Sequence, residues 1–473
     1  MGLGIMGTME MARNSMRVAR SGAEVSGNNL ANASNPIYAR QRIKINSSVT
    51  IPTEKGPQGS GAAVARIEQI RDRVLDASIV YETSITGYHE GKQLYLRRAE
   101  TALGQTVDNQ SIDAGGAYGT YGLSEGMTEL FNSFQSLSVS PTSISERQTV
   151  ISSAKKVASK LRTVDERLSQ LRTALNEEVK DTINQVNGKI KEVAYIAINI
   201  GNIEVVEGSA NEVRDSLQDA FEQLSKYADI STTTNENGEL SLFLNGHEMI
   251  TDNVMTNSIQ LTEDSVTGMY YMNELNHGNK IDPEVGYIKG MIDVRDESVK
   301  DLRTKIDTLA SQLITEVNAL HQTGYDLDGV NDSSNGFFEG SGAANIKVND
   351  TIADNPRKLQ GSSSADETSN NDILRSIAEL GSKAITGLNS VSFSEYYSNT
   401  LSRFGQDVAL TTAQLNDQKT GEKMLLKQRE SVQGVSIDEE VANLVVYQRA
   451  FQASAKLLTT MDSLMQDVLN MTR

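Results

Sequence analysis

Apolar and small side chains recur at steps of three and four residues at both ends of the chain. The first stripe consists of Met9, Ala12, Met16, Ala19, Ala23, Ser26 and Leu30. The last consists of Ile437, Val441, Leu444, Gln448, Phe451, Ala455, Leu458, Asp462, Met465 and Leu469. Alternating steps of three and four are the spacing of coiled-coil helices, which need a partner to cover the stripe. We therefore expect the two terminal helices to pair with each other.

The middle of the chain is mostly helical in pattern. Its longest periodic segment, 143–201, would span roughly 90 Å as one helix at about 1.5 Å per residue, so it needs partner helices along its length. Further helices are predicted at 71–103, 211–228, 290–322, 372–384 and 393–433, with extended chain at 37–70.

One segment alternates instead with a period of two. Leu240, Leu242 and Leu244 follow the turn sequence NENG, which predicts a small β insertion. The predicted fold is mainly α: an elongated multi-domain helical rod with paired terminal coiled-coil helices. The predicted domains are 1–36 with 436–473 for the terminal helices, 37–229 with 283–435 for the rod, and 230–282 for the β module.

Each terminal helix has a signal at the end that faces the middle of the chain. Asn32, Asn35 and Pro36 end the first helix, because Pro disfavours α geometry in the residue before it. Ser436 and Glu439 have the spacing of a capping box at the start of the last helix. The NPIY sequence at 35–38 also matches a short adaptor-binding peptide, which would leave the two helical stripes unexplained.

Composition excludes several classes of function. The chain has 44 Lys and Arg against 62 Asp and Glu, a net charge of −18, which disfavours binding to nucleic acid or an anionic membrane. The absence of Cys excludes disulfides and thiolate metal sites. No 18-residue apolar run and no signal-peptide pattern is present, so we expect any export to use another route.

We predict no catalytic, cofactor-binding or metal-binding residue, and therefore no enzyme. The four His residues are isolated from one another. The segment 326–339 fails as a calcium loop, since Val330, Asn331 and Phe337 occupy positions that need a ligand, Gly and Glu. The glycine run from Gly116 to Gly122 lacks the strand and Lys of a phosphate-binding loop, so we expect a plain loop.

The stretch GNNLANASNPIYARQ at 27–41 resembles the N-terminal signature of bacterial flagellar axial proteins, usually NNLANxNTPGYSRQ. The tail VANLVVYQRAFQASAKLLTTMDSLMQDVLNM resembles their C-terminal signature. The interior GMIDVRDESVKDLRTKIDTLASQLITEVNALHQTGYDLDG, with NGFFEG after it, is similar to the hook-associated proteins of the hook–filament junction (FlgK type).

The sequence departs from this family pattern at two places. Ile37 stands where the signature usually has Gly, so a positive-φ turn is not expected there. The gap between NGFFEG and 345–356 is short where larger relatives place a β domain, which implies less projection from the filament surface.

The resemblance implies a structural role in the bacterial flagellum. The terminal helices would form the inner tube wall by self-association in a ring, and the rod would contact the hook protein and a second hook-associated protein. It also implies secretion by the flagellar type III apparatus, an export chaperone on the C-terminal helix, and terminal helices that fold only on assembly. No nucleic-acid or membrane partner is expected. The alternatives are a hook or rod protein, marked by a mostly β middle, and a secreted helical adaptor or effector.

Thirteen residues are predicted to carry assembly. Tyr38 and Arg40, with Gln41, would dock the connector against neighbouring helices. A change of Leu30 to Asp is expected to impair assembly more than a change of Arg40 to Ala. The full set is Met9, Met16, Leu30, Asn32, Pro36, Tyr38, Arg40, Ile437, Val441, Leu444, Phe451, Leu458 and Met465.

Overall fold

The computed structural model describes residues 4–53, 56–103, 122–206 and 208–471. The predicted loop around Gly116 and Gly119 lies outside these residues. The helices are α1 Ile5–Ala31, α2 Arg73–Ala102, α3 Leu123–Val139, α4 Ile144–Val206, α5 Asn211–Ser225, α6 Tyr287–Asp293, α7 Val299–His321, α8 Asp350–Asp354, α9 Asp372–Glu379, α10 Phe393–Gln433 and α11 Ile437–Met471. The prediction of a mainly α fold is confirmed.

Short strands lie between the helices. They are β1 Gln41–Ser47, β2 Thr50–Thr53, β3 Gly56–Gly59, β4 Ala62–Gln69, β5 Ile230–Thr234, β6 Leu240–Leu244, β7 His247–Thr251, β8 Val254–Met255, β9 Ile259–Glu263, β10 Tyr270–Glu274, β11 Lys280–Ile281, β12 Phe338–Glu339 and β13 Lys347–Val348. The extended segment after α1 forms two antiparallel pairs, β1 with β4 and β2 with β3.

Helix α4 organises the helical middle of the molecule. Val157, Leu161 and Leu168 of its apolar line are fully buried, and α3, α5 and α7 pack along this helix. The Arg303 guanidinium of α7 donates to the Asp165 carboxylate of α4 at 2.9 Å. The long helix predicted at 143–201 is therefore present, and it has the partner helices that its length requires.

Helices α2 and α6 cross at glycines. A Cβ on Gly290 would lie 2.4 Å from the Tyr88 carbonyl oxygen, and one on Gly91 would lie 2.7 Å from the Tyr287 carbonyl oxygen. Neither distance is compatible with a side chain, so the two backbones approach as closely as they do because both positions are Gly. Beyond α6 the helix widens into a π-helical turn, Val294–Ser298, before α7 begins.

The β insertion consists of two small antiparallel sheets. Strands β5–β8 form one and β9–β11 the other. Leu240, Leu242 and Leu244 are all buried on one side of β6, as their alternation predicts. The Asn187 side chain of α4 bonds both the N–H and the carbonyl of Ile259, at 2.9 and 2.8 Å, which fixes the second sheet to the long helix.

Four predicted helix boundaries are corrected. The helix predicted from residue 290 begins at Tyr287, and the one predicted to 201 continues to Val206. The helix predicted to 384 ends at Glu379, and the one predicted to 228 ends at Ser225. Apolar spacing does not mark where backbone hydrogen bonding stops, which explains shifts of this size. Within the residues described, no helix is both long and apolar enough to cross a lipid bilayer.

Candidate functional site

The two ends of the chain lie side by side, with α11 packed against α1. The Tyr447 ring of α11 covers Gly22 of α1. A Cβ built on Gly22 would lie 2.4 Å from Cε1 of that ring. The ring can therefore occupy this place only because residue 22 has no side chain, and the sequence spacing did not single this position out.

Helix α1 buries two neighbouring columns. Ala12, Ala19 and Ser26 of the predicted stripe are buried, whereas the larger Met9, Met16 and Leu30 are only half-buried. The second buried column contains Val18, Gly22, Val25 and Asn29. The buried face is wider than a coiled-coil seam because α1 contacts β1 and β4 as well as α11.

Helix α11 turns only part of its predicted stripe towards α1. Leu444, Leu458 and Met465 are half-buried, and Phe451 lies at the border with 38% of its surface exposed. The prediction of a single seam with α1 is corrected at Ile437 and Val441, which are 56% and 44% exposed. Tyr447, which covers Gly22 of α1, and the half-buried Met461 lie on the neighbouring column of α11.

The connector after α1 is held by one buried amide. Asn29 accepts from the Tyr38 hydroxyl at 2.8 Å and from the Gln41 N–H at 2.9 Å, and its own amide donates to the Gln41 carbonyl at 2.8 Å. A buried Asn with all these partners fixes the path of the chain as it leaves the helix. Asn32 is the C-terminal cap of α1 and Pro36 is exposed beyond it. Ile37 has no positive φ, as expected.

Arg40 joins this connector to the start of α11. Its guanidinium lies 2.7 Å from carboxylate oxygens of both Glu439 and Glu440. The backbone N–H of Arg40 donates to the Gln433 carbonyl at 2.9 Å. Only 2% of the Glu440 side chain is exposed. Burial by itself would lower the pKa of Arg40, but the two carboxylates raise it above its usual value. Ser436 caps Glu439 N–H at 3.5 Å, while the Glu439 carboxylate is directed to Arg40.

A second layer of charges surrounds this contact. Arg71 donates to Asp215 at 2.6 Å and to Asp76 at 3.1 Å. Glu212 accepts from Gln41 at 3.1 Å, and burial raises the pKa of Asp215 even though Arg71 opposes the shift. We call the whole set the polar junction: Asn28, Asn29, Tyr38, Arg40, Gln41, Gln69, Arg71, Asp76, Glu212, Asp215, Gln433, Glu439 and Glu440.

Tyr38 lies at the centre of the polar junction and is buried. Burial is the main reason that the pKa of its hydroxyl is raised, and the carboxylates of Glu212, Asp215 and Glu440 raise it further. The hydroxyl therefore remains a hydrogen-bond donor. The sequence motif contains Asn29 and Tyr38. The carboxylates near Tyr38 lie on α5 and α11, too far away in the sequence for a local pattern to predict them.

The loop that superficially matches a calcium site is closed by protein groups. The Asp326 carboxylate accepts from the N–H groups of Asp328 and Val330, at 2.8 and 2.9 Å, and pairs with Lys358 at 2.9 Å. Across the described ranges, no cluster of three or more His, Asp or Glu side chains is arranged to hold a metal ion.

Comparison with known proteins places these features in a family. A model described as the flagellar hook-associated protein FlgK helical domain matches residues 111–338. A second model, the C-terminal region of the flagellar basal body rod FlgEFG proteins, matches residues 429–471, which contain all of α11. The first match covers just under half of the chain. Residues 111–338 belong to the family of the FlgK helical domain. The chain as a whole is similar to flagellar hook-associated proteins of the FlgK type.

Curated FlgK-family relatives match over nearly their full length. Flagellar hook-associated protein 1 of Bacillus subtilis (strain 168) is 23% identical, with 98% of this chain and 97% of the relative covered. The proteins of the same name from Salmonella typhimurium and Escherichia coli are 21% and 19% identical, each with 97% of this chain and 98% of the relative covered.

A solved structure of the flagellar hook junction protein FlgK from Burkholderia pseudomallei is also similar. The TM-score is 0.46 at 19% identity, with 56% of this chain and 46% of that chain covered. The family matches, not this structure, identify the chain as a structural component of the flagellum, which confirms that part of the function predicted from the sequence.

Proposed function

We propose that this chain polymerises through its terminal helices into the ring that connects hook to filament. In this proposal α1 and α11 form the inner tube wall of the ring. The helical middle forms the shell outside it, with the hook protein on one side and a second hook-associated protein on the other. The polar junction sets the position of the inner module relative to the shell.

The observation that carries this proposal is the apolar side of α11 that α1 leaves open. Ile437, Val441 and Val445 follow one another at steps of four residues on one side of α11, and each is more than 40% exposed. A row of exposed apolar side chains of this kind is typical of a protein contact. Since the other side of α11 already packs on α1, we infer that a terminal helix of the next copy covers the open side.

The exposed side of α11 also supports a proposal on how the chain is exported. We propose that the chain leaves the cell through the flagellar type III apparatus, with an export chaperone bound to Ile437, Val441 and their neighbours until assembly. The apolar surface that would bind the neighbouring copy would otherwise favour premature association. Secretion should stop in a strain without the export apparatus, and normal secretion there would contradict this route.

The test is a deletion strain complemented with variants of this chain. We expect the doubly substituted V441D/V445D chain to lose filament attachment and motility, because two carboxylates would be buried in the contact between copies. Val139→Asp is the control, since Val139 is exposed on α3, outside the terminal helices. Normal filaments with V441D/V445D, or immunogold label away from the junction in the unsubstituted strain, would overturn the proposal.

Two alternatives were left open by the sequence. A hook or rod protein was expected to have a mostly β middle, whereas the middle here is helical from α2 to α10 apart from the small sheets. A secreted adaptor or effector would tolerate loss of its terminal helices. Filament attachment by a chain truncated at residue 436 would favour that second alternative.

A further inference from the structure

A cleft of about 500 Å³ opens where the β insertion meets the long helices. Four cationic side chains line it, and Tyr270 of β10 forms one wall. We call it the basic cleft and define it by Arg172 of α4, Lys280 of β11, Arg295 of the π-helical turn and Lys300 of α7.

The floor of the basic cleft is rigidly built. Asn176, which is buried, accepts from the Tyr270 N–H and from the Arg295 guanidinium, each at 2.8 Å, and donates to the Gly268 carbonyl at 3.1 Å. Arg172 donates to the Arg295 carbonyl at 3.3 Å. Helix, π-helical turn and β hairpin are thereby held together, so the cationic groups are fixed in place before any partner arrives.

Two carboxylates in the basic cleft are already engaged. Asp296 accepts two hydrogen bonds from Arg295, at 2.9 and 2.7 Å, and Asp264 accepts from the N–H groups of Val266 and Thr267 within its own turn. Lys280 and Lys300 are exposed, and neither has an ion-pair partner within the part of the chain that the structure describes. The cleft therefore carries surplus positive charge.

This surplus stands out against the charge of the whole chain. With a net charge of −18, two copies repel each other unless opposite charges meet locally at their contact. A ring places many copies side by side, and repeated contacts between two different surfaces of the chain generate such a ring. The basic cleft supplies the positive half of one such contact, away from the paired chain ends.

We propose that the basic cleft receives acidic side chains of a neighbouring copy of this chain in the ring. The inference rests on the proposed function, because it requires copies to be neighbours at the junction. It adds a second contact, formed by the β insertion and the helical shell, to the one formed by the terminal helices.

The absence of Cys from the chain allows a direct test. Val266 is exposed and lies between Asp264 and Thr267, which line the cleft. A Val266→Cys chain carrying a short photoactivatable cross-linker is assembled into flagella, and the irradiated junctions are isolated. We expect a covalent dimer of the 51.5 kDa chain, joined from residue 266 to a peptide rich in Asp and Glu. Cross-links to a different flagellar protein, or no cross-link, would overturn the proposal.

A matched pair of charge reversals separates the basic cleft from general electrostatics. In the Val266→Cys chain, we expect Lys300→Glu to reduce the dimer yield about fivefold, because it reverses a charge that faces the partner. Lys191→Glu is the control: Lys191 is also exposed, and it lies roughly 28 Å from Arg172 along α4, at about 1.5 Å per residue. Equal losses in the two variants would overturn the inference.

Immunogold labelling of the same flagella distinguishes the two proposals. Label at the junction without a covalent dimer contradicts only the role of the basic cleft. Absence of label from the junction contradicts the proposed function itself.

Discussion

Single residues decide how closely the chain ends fit together, and Gly22 is the clearest case. We expect Gly22→Ala to destabilise the α1–α11 pair by about 1–3 kcal/mol, because the new methyl group would overlap the Tyr447 ring. The measurement is denaturant unfolding, with hydrogen exchange of α1 to locate the effect. Gly27→Ala is the control, since nothing lies within 4 Å of a Cβ at Gly27; equal losses in both would contradict the reasoning.

Arg40 is the second residue for which the structure predicts a large effect on stability. Its removal leaves the buried Glu440 carboxylate without its cation, so we expect Arg40→Ala to cost about 3–5 kcal/mol in unfolding free energy. Arg42→Ala removes an exposed pair with Glu68 and should cost less than about 1 kcal/mol. A loss below 1 kcal/mol for Arg40→Ala would show that the polar junction does not depend on it.

This expectation bears on the sequence-based ranking of Leu30 and Arg40. Leu30→Asp was expected to impair assembly more than Arg40→Ala, and that ranking stays a prediction. Leu30 is half-buried rather than central to the helix contact. Because the Arg40–Glu440 pair is buried, we expect Leu30→Asp and Arg40→Ala to differ less in their effect on assembly than the sequence alone suggested.

His321 gives the molecule a pH-dependent stability. Burial lowers its pKa to about 4 from an ordinary value of 6.5. Because the unfolded chain binds the proton first, stability is lost as the pH falls from about 6.5 towards 4, by up to about 3 kcal/mol. Urea unfolding at pH 7 and pH 4.5 should show a smaller difference for His321→Gln than for the unsubstituted chain. The exposed His277→Gln is the control, and an unchanged difference in His321→Gln would contradict the prediction.

At the scale of elements, α4 and α11 are helices of opposite character. Most of the apolar line of α4 is buried, whereas α11 buries only Glu440 completely. We expect amide exchange in the free chain to be slow in α4 and faster in 437–469 and 5–30, because the mostly exposed α11 opens readily and α1 then loses its partner helix. Strong protection of both terminal segments in the monomer would contradict the hypothesis that they fold on assembly.

The same contrast explains what could be predicted from the sequence. The period of apolar residues depends on local geometry, so the paired terminal helices, the long α4 and the strand containing Leu240 could all be predicted. The column of α11 that meets α1 could not, because it depends on a close approach at Gly22 and on the partner of Glu440. The π-helical turn that begins at Val294 could not be predicted from the spacing of apolar residues either.

At the scale of the whole molecule, the polar junction joins segments that are far apart in sequence. Glu212 and Asp215 reach it from α5, Asp76 from α2 and Glu440 from α11. No spacing rule relates these positions, which is why the motif around Asn29 identified one side of the candidate site but not the other. The polar junction therefore connects the α1–α11 pair to the helical middle through charged and polar contacts rather than through apolar packing.

The contact between Arg40 and Glu440 also bears on the order in which parts of the chain fold. The two residues are 400 positions apart, so nearly the whole chain must be present before this ion pair can close. Long-range closure of this kind comes late in folding because the entropy of the intervening chain opposes it. We therefore expect the two ends to be the last parts of the protein to become compact, after the helical middle has formed its core.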